Sequence, residues 1–309
     1  MKDQTIAVLL PCFNEAGAVG KTVADFQRAL PSATIYVYDN NSTDGTVKEA
    51  LEAGAVVRHE YRQGKGEVVR RMFSDIDADI YVMADGDDTY DASISPALIE
   101  QLVTEQLDMI IGSRERSSEA YPAGHILGNK MFSTLINKGF NAQLNDVFSG
   151  YRVMSHRFVK TVPIFSDGFQ IETELTVHAL HHNMSIKEVP THYHSRPEGT
   201  ASKLNTLSDG IKILNFILFL LRDVKPMFFF GALSVLLCFI SLGLGIPVII
   251  DFIDTGLVER VPTAILSSSI ALIAVMSFFC GLILDNVSRG RREMRILSIL
   301  RSHDHKPSH

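Results

Sequence analysis

Two carboxylates separated by one glycine, Asp85-Gly86-Asp87, follow the apolar run Ile80-Tyr81-Val82-Met83-Ala84, and Asp88 comes directly after them. Side chains of this type emerging together where a buried strand ends can both reach a hard divalent cation. Mg2+ or Mn2+ held in that way can in turn grip a diphosphate. The same tetrapeptide is also ordinary turn chemistry, because Asp and Gly suit tight turns. Its neighbours in the chain must decide between the two readings.

Two further polar clusters have the same relation to an apolar run. Pro11-Cys12-Phe13-Asn14-Glu15 follows Thr5 to Leu10, and Asp39 to Asp44 follows Thr34-Ile35-Tyr36-Val37-Tyr38. The Asp39 carboxylate can accept hydrogen bonds from a nucleobase imide or ribose hydroxyls, or simply close a strand. Glu15 either binds a ribose or caps the helix after it, and Asp44 reads as a helix cap. Gln63-Gly64-Lys65-Gly66-Glu67 precedes a helix running to about Asp77, and a Gly-rich turn into a helix can cradle an anion. It lacks P-loop spacing, so Lys65 is either a phosphate contact or part of a surface turn.

These clusters need a scaffold that brings them to one edge. Residues 1 to about 205 alternate strand and helix signals: a strand to Leu10, a helix from about Gly17 to Leu30, the strand Thr34–Tyr38, a helix from Thr46 to Ala53 and a short strand around Ala55–Arg58. This βαβα order predicts an α/β, mostly parallel sheet with helices on both faces. Ligands in such sheets bind outside the carboxyl ends of the strands, where all three clusters fall.

The rest of the chain is different in kind. Met227–Ile250 and Pro262–Leu284 contain no charged side chain, and each exceeds the roughly 20 residues needed to cross a bilayer core. Two transmembrane helices are expected, at about 227–250 and 262–284. Arg222 and Lys225 precede the pair and Arg289, Arg291, Arg292 and Arg295 follow it, while the loop between carries Asp251, Asp254 and Glu259. The positive-inside rule then places both termini, and the domain of residues 1–205, in the cytoplasm of an integral membrane protein. Met1-Lys2-Asp3-Gln4 leads into a strand too short for a secretory apolar segment. Residues 206–226 read as an amphipathic helix at the membrane interface, and 287–309 as a basic cytoplasmic tail that ends in disorder from Ser302. A net charge of −6 argues against a general nucleic-acid binder, although the Arg cluster suits anionic headgroups. Cys12, Cys238 and Cys280 lack metal-ligand spacing and read as packing residues.

In order and spacing, Leu10-Pro11-Cys12-Phe13-Asn14-Glu15, Tyr38 to Thr46 and Ala84 to Asp88 resemble a family 2 glycosyltransferase of GT-A fold. The resemblance continues through Gly112-Ser113-Arg114, Ser149-Gly150-Tyr151-Arg152, Phe169 to Glu174, Glu188-Val189-Pro190 and Arg196 to Leu204. With a C-terminal hairpin added, the chain is similar to polyprenyl-phosphate glycosyltransferases, such as dolichyl-phosphate mannose synthases and bacterial undecaprenyl-phosphate sugar synthases.

That resemblance implies that Pro11, Phe13, Glu15 and Asp39 surround the donor nucleoside, and that Asp85 and Asp87 bind metal with the diphosphate. It also implies that Arg114, Arg196 and Lys203 hold phosphates of donor or acceptor, that the sugar inverts, and that the chain forms a homo-oligomer. Thr89 stands where dolichyl-phosphate mannose synthases carry Gln near the metal, which leaves Asp88 or water for the third contact. Asp88 and Arg152, the latter with Asp146 nearby, are expected to shape the sugar or acceptor pocket. Glu172, Glu174, His178, His181 and His182 read as a solvated helix face, and His192 and His194 as surface residues of a strand.

The implied reaction moves a hexose-type sugar from a nucleotide donor, UDP-linked in preference to GDP-linked, onto a membrane polyprenyl phosphate. Such a phosphate is already largely anionic near neutral pH, with a second pKa of about 6, so no general base is required. A glycan-extending polysaccharide synthase is an alternative, although those enzymes carry Gln-x-x-Arg-Trp and this chain has no Trp. An inactive lipid-binding scaffold is the other.

Overall fold

In this computed structural model the described residues are 4–114, 132–134, 136–140, 142–168, 170–194, 215, 218–219, 222–223 and 225–303, with side chains described as far as Met294 except at 292. The chain divides into two compact units, Met1–Leu214 and Asn215–His309.

The first unit is built on a seven-stranded sheet in the order β3-β2-β1-β4-β6-β5-β7. β1 (Ile6–Cys12) and β4 (Ile80–Met83) are apolar along almost their whole length, because both sheet faces are covered. From β1 the chain winds outward through α1 (Val19–Ala29), β2 (Thr34–Asp39), α2 (Thr46–Glu52) and β3 (Val56–His59). It returns through α3 (Lys65–Asp75) to lay β4 on the other side of β1. The change of direction opens a crevice at the carboxyl ends of β1 and β4. Register aligns Cys12 with Asp39 and Leu9 with Met83, so the ends of β1 and β2 and the Asp85 turn lie along one edge.

Beyond β4, a 3-10 turn (Ala92–Ile94) and α4 (Ser95–Thr104) lead to β5 (Met109–Arg114). β6 (Arg152–Ser155) then inserts antiparallel between β4 and β5. α5 (His156–Thr161), α6 (Ile171–His181) and β7 (Ile186–Thr191), parallel to β5, complete the unit. Three elements differ in their boundaries from the sequence reading. α1 is shorter at both ends than the expected 17–30. α3 starts at Lys65 itself and stops at Asp75, so the Gly-Lys-Gly segment is its first turn rather than its approach. β7 ends before His192, while Tyr193 bridges to Tyr90. The mostly parallel α/β expectation holds.

The second unit contains a helical hairpin of α7 (Pro226–Thr255) and α8 (Val261–His303). Their apolar windows have mean hydropathy 2.6 and 2.2, and only 11% and 17% of each window is buried, which is unlike core helices of a soluble protein. Both helices are long enough to cross a membrane. Gly256 ends α7 at φ +71, a left-handed cap that favours glycine. The helices meet through small residues: Ser241 Oγ donates to Ser267 O and Ser267 Oγ to Ser241 O, each at 2.9 Å. The basic segment after Leu284 does not form a separate tail. α8 runs through it to His303, and the rest of the tail expected to be disordered from Ser302 lies outside the described residues. Most of the interfacial helix expected at 206–226 also lies outside them.

Candidate active site

The Asp85-Gly86-Asp87 turn is wedged between two backbone segments. A Cβ at position 86 would collide with Cys12 Sγ, and one at Gly150 would stand 2.8 Å from Asp85 Oδ2. Both glycines thus pack closely around Asp85, and a side chain at either would displace the Cys12 or Asp85 side chain. Asp87 is only 1% exposed, and Thr89 Oγ1 donates to its Oδ1 at 2.5 Å. Thr89 thus orients a carboxylate from behind, in a role its departure from the mannose-synthase pattern did not suggest. Asp88 turns away at φ +60 and pairs with Lys21 Nζ at 2.7 Å on α1. Asp88, expected in the sugar or acceptor pocket, is thus tied to α1.

Lys65 reaches the other carboxylate. Its Nζ donates to Asp85 Oδ1 and lies 2.5 Å from Glu172 Oε1, with the lysine side chain mostly buried. Burial opposes its charge, but Asp85 and Glu172 outweigh that and hold its pKa above the ordinary lysine range. Lys65 is not on an exposed surface turn; it is an ion-paired bridge between Asp85 and Glu172. Glu172 is the site residue that sequence reasoning missed. It is 4% exposed, and Glu174 and His178 are buried too, so of the face of α6 expected to be solvated only His181 and His182 are partly exposed.

The reason lies in how α6 anchors α3. Glu174 accepts hydrogen bonds from Phe165 N (2.8 Å), Ser166 N (2.9 Å) and Ser166 Oγ (2.6 Å), which fixes the segment before α6. Gly64 and Gly66 dock on that segment so closely that a Cβ at either would strike Asp167 O or Ser166 O, and Gly66 N donates to Asp167 O at 3.0 Å. Two glycines therefore bring the first turn of α3, with Lys65, against the acidic edge.

At the ends of β1 and β2, most polar side chains stitch loops together. Asn14 Oδ1 accepts from Thr43 N and Ser42 Oγ from Asn14 N, both at 2.8 Å. Thr46 Oγ1 accepts from Glu15 N at 2.8 Å, and Asp44 holds Ala16 N (3.1 Å) and Thr46 N (3.0 Å). Asp44 is accordingly a loop and helix-start residue. The Glu15 carbonyl receives the first N–H groups of α1, while its side chain is mostly buried. Asp39 is buried at the end of β2 with His59 Nδ1 at 3.4 Å, and Tyr61, 81% exposed, stacks beside His59. Pro11 and Phe13 are partly exposed on the same edge. Burial, followed by Glu15, Asp85, Asp39 and Asp87, pushes the Cys12 thiol well up, which makes it an inert packing residue beneath an acidic crevice.

Two arginines have partners that the sequence did not show. Arg114 makes a two-pronged bond with Asp146 (2.7 and 2.8 Å) and lies over the Tyr193 ring, so its fork is already engaged by a carboxylate. Arg152 is wholly buried and donates to Ser149 O, Val147 O, Glu172 O and Thr176 Oγ1. Burial lowers its pKa to about 10, still charged at neutral pH. It ties β6 to the first turn of α6 under the site instead of lining a pocket. Tyr151 is a core aromatic. Arg196 and Lys203 lie outside the described residues.

Among the described residues no three metal-ligating side chains meet. Asp85 and Asp87 still suit a small divalent ion, which binds through one or two carboxylates and completes its shell with substrate phosphates and water. An ammonium already rests on Asp85, so the position accepts positive charge.

A model of glycosyl transferase family 2 matches residues 7–162. The chain belongs to that family. It is a glycosyltransferase, and the resemblance read from its motifs holds. Glycosyltransferase AglJ of Haloferax volcanii is 30% identical over 293 residues, covering 93% of this chain and 95% of that protein. The dolichyl-phosphate hexose transferase of the same organism is 27% identical, over 67% of this chain and 90% of its own length. Among solved structures, glucosyl-3-phosphoglycerate synthase of Mycobacterium tuberculosis, crystallised with Mn2+, UDP and glucosyl-3-phosphoglycerate, aligns with TM-score 0.59. It is 20% identical and covers 70% of this chain and 80% of that one, a likeness of fold.

Proposed function

We propose that this glycosyltransferase moves a hexose-type sugar from a UDP-linked donor onto a membrane polyprenyl phosphate, with a divalent cation and inversion at the anomeric carbon. One observation carries the reading: the same chain combines a pair of carboxylates at the switch point of its sheet, Asp87 buried and Asp85 partly so, with two helices long enough to cross a bilayer. The names of its relatives support the acceptor, since a dolichyl-phosphate hexose transferase and a dolichol-phosphate mannosyltransferase are both similar to it. The UDP and Mn2+ in the solved relative support the donor and metal.

In this reading Pro11, Phe13, Glu15 and Asp39 receive the nucleoside, and Asp85 and Asp87 hold Mg2+ or Mn2+. A cation bound there supplies charge stabilisation to the departing diphosphate. Thr89 keeps the Asp87 carboxylate aimed, and Lys65 adds a positive charge at the same edge. Asp88, paired with Lys21, flanks the turn. Arg114 and Arg152 brace the far side through Asp146 and α6, while Arg196 and Lys203 remain the proposed phosphate clamps. The acceptor phosphate arrives as an anion and attacks without a general base. The catalytic unit and both termini are cytoplasmic in this proposal.

The test is a donor panel. Full-length protein in detergent receives UDP- and GDP-linked sugars, Mn2+ or Mg2+, and polyprenyl phosphate, and the lipid fraction is weighed by mass spectrometry. A lipid-phosphate sugar from a UDP donor, abolished by EDTA, is expected. No such lipid from any donor would refute the proposal.

A further inference from the structure

Lys65 stands in an unusual place for a cation. It is the first residue of α3, where the positive end of the helix dipole disfavours an ammonium, yet it is buried there in contact with carboxylates from two other elements. The docking of Gly64 and Gly66 on residues 166–167 leaves that first turn little freedom to retreat. Asp85 and Glu172 are therefore what the charge is for. Asp85 is at the same time one of the two carboxylates assigned to the metal.

We propose that Lys65 is a built-in counter-cation that competes with the divalent metal for Asp85, so that the metal binds tightly only together with a nucleoside diphosphate. The inference rests on the reading of Asp85 and Asp87 as the metal site. An ammonium and a divalent ion cannot share one carboxylate oxygen at contact distance without strong repulsion, even at the effective dielectric of a protein surface. When metal takes Asp85, the lysine must swing off it. Its flexible four-carbon stem allows this, and Glu172 keeps it from being stranded, since a buried charge without a partner is costly. Metal arriving alone leaves the ammonium with one carboxylate in place of two. A diphosphate arriving with the metal gives Lys65 a new anion at the N-terminus of α3, where anions are favoured. The coupling is reciprocal: whatever factor diphosphate adds to metal affinity, metal adds to diphosphate affinity. Glu172 is in this scheme a positioning residue, acting only through Lys65.

Mn2+ binding to the full-length protein in detergent, measured by calorimetry and by the electron paramagnetic resonance of free Mn2+, with and without UDP, tests this without turnover. Wild-type protein is expected to bind Mn2+ weakly alone and much more tightly with UDP. Lys65→Met should tighten Mn2+ binding in the absence of UDP by about tenfold or more, and shrink the effect of UDP. Glu172→Gln should do the opposite, because the lysine then rests on Asp85 alone. Opposite signs at two residues of one ion-pair cluster are not what general loosening would give, and Glu172→Gln keeps the test alive if Lys65→Met does not fold. Unchanged or weaker Mn2+ binding in folded Lys65→Met, or tighter binding in Glu172→Gln, would overturn the coupling. Asp85→Asn and Asp87→Asn are the controls for the site itself. If neither weakens Mn2+ binding, the metal assignment fails and the coupling falls with it.

Discussion

Asp87 and Thr89 show how much a single side chain decides here. Asp87→Ala should lower the transfer rate by about a thousandfold or more, since it removes one of the two carboxylates proposed to hold the metal. A rate near wild type at saturating Mn2+ would exclude that role. Thr89→Val keeps the shape and deletes the donor to Asp87 Oδ1. Loss of such an outer partner should weaken metal affinity by about 10- to 100-fold, read as a shift in the Mn2+ dependence of the rate. Glu174 gives an acid-side expectation. Burial works against its charge, but His178, Ser166 and Phe165 overcome this and hold its pKa below the ordinary value. Its stabilisation is thus present above the usual carboxylate range and lost as pH falls through the lowered native pKa. Glu174→Gln should cost about 1–3 kcal/mol near neutral pH and flatten the loss of melting temperature on acidification; an unchanged acid limb would contradict this. At this scale Asp85 and Asp87 were legible because strand-end carboxylates announce themselves locally. The partners of Asp88, Arg114 and Arg152 were not legible, since Lys21, Asp146 and the α6 backbone come from other elements. Glu172 was missed because a charged residue near the start of a helix usually faces water.

Elements carry those side chains to the crevice, and glycines set how closely they approach. Gly66→Ala should force α3 away from Ser166 O, destabilising the protein by about 1–3 kcal/mol and displacing Lys65 from Asp85 and Glu172. Thermal melting together with the Mn2+ titration checks both consequences, and wild-type values in both would show that the docking has slack. The strands and the parallel winding from β1 to β3 were legible from apolar runs and turn residues. The antiparallel direction of β6 was not, because four residues of apolar pattern carry no sign of direction. The first turn of α3 was mistaken for a loop because Gly is a poor helix former, and its reason for being there is the neighbouring 166–167 backbone. The length of α8 was also hidden, since a run of arginines reads as a tail although Arg is a good helix former.

At the scale of the whole molecule, a soluble-type α/β unit and an apolar hairpin share one chain, and that combination was legible from hydropathy alone. The sugar and nucleotide specificity was not, because no local pattern in a sequence says which side chains distant segments will bring together. The central claim is that the acidic crevice serves a leaving diphosphate while the nucleophile is a lipid phosphate that is already charged. Its most direct test pairs two acceptors, polyprenyl phosphate and the uncharged polyprenol of the same length, with UDP-sugar and Mn2+ in the full-length protein. Transfer to the phosphate alone, giving an acid-labile lipid-phosphate sugar and falling away in Asp87→Ala, is the expected result. Equal transfer to polyprenol, or an undiminished product from Asp87→Ala, would contradict it.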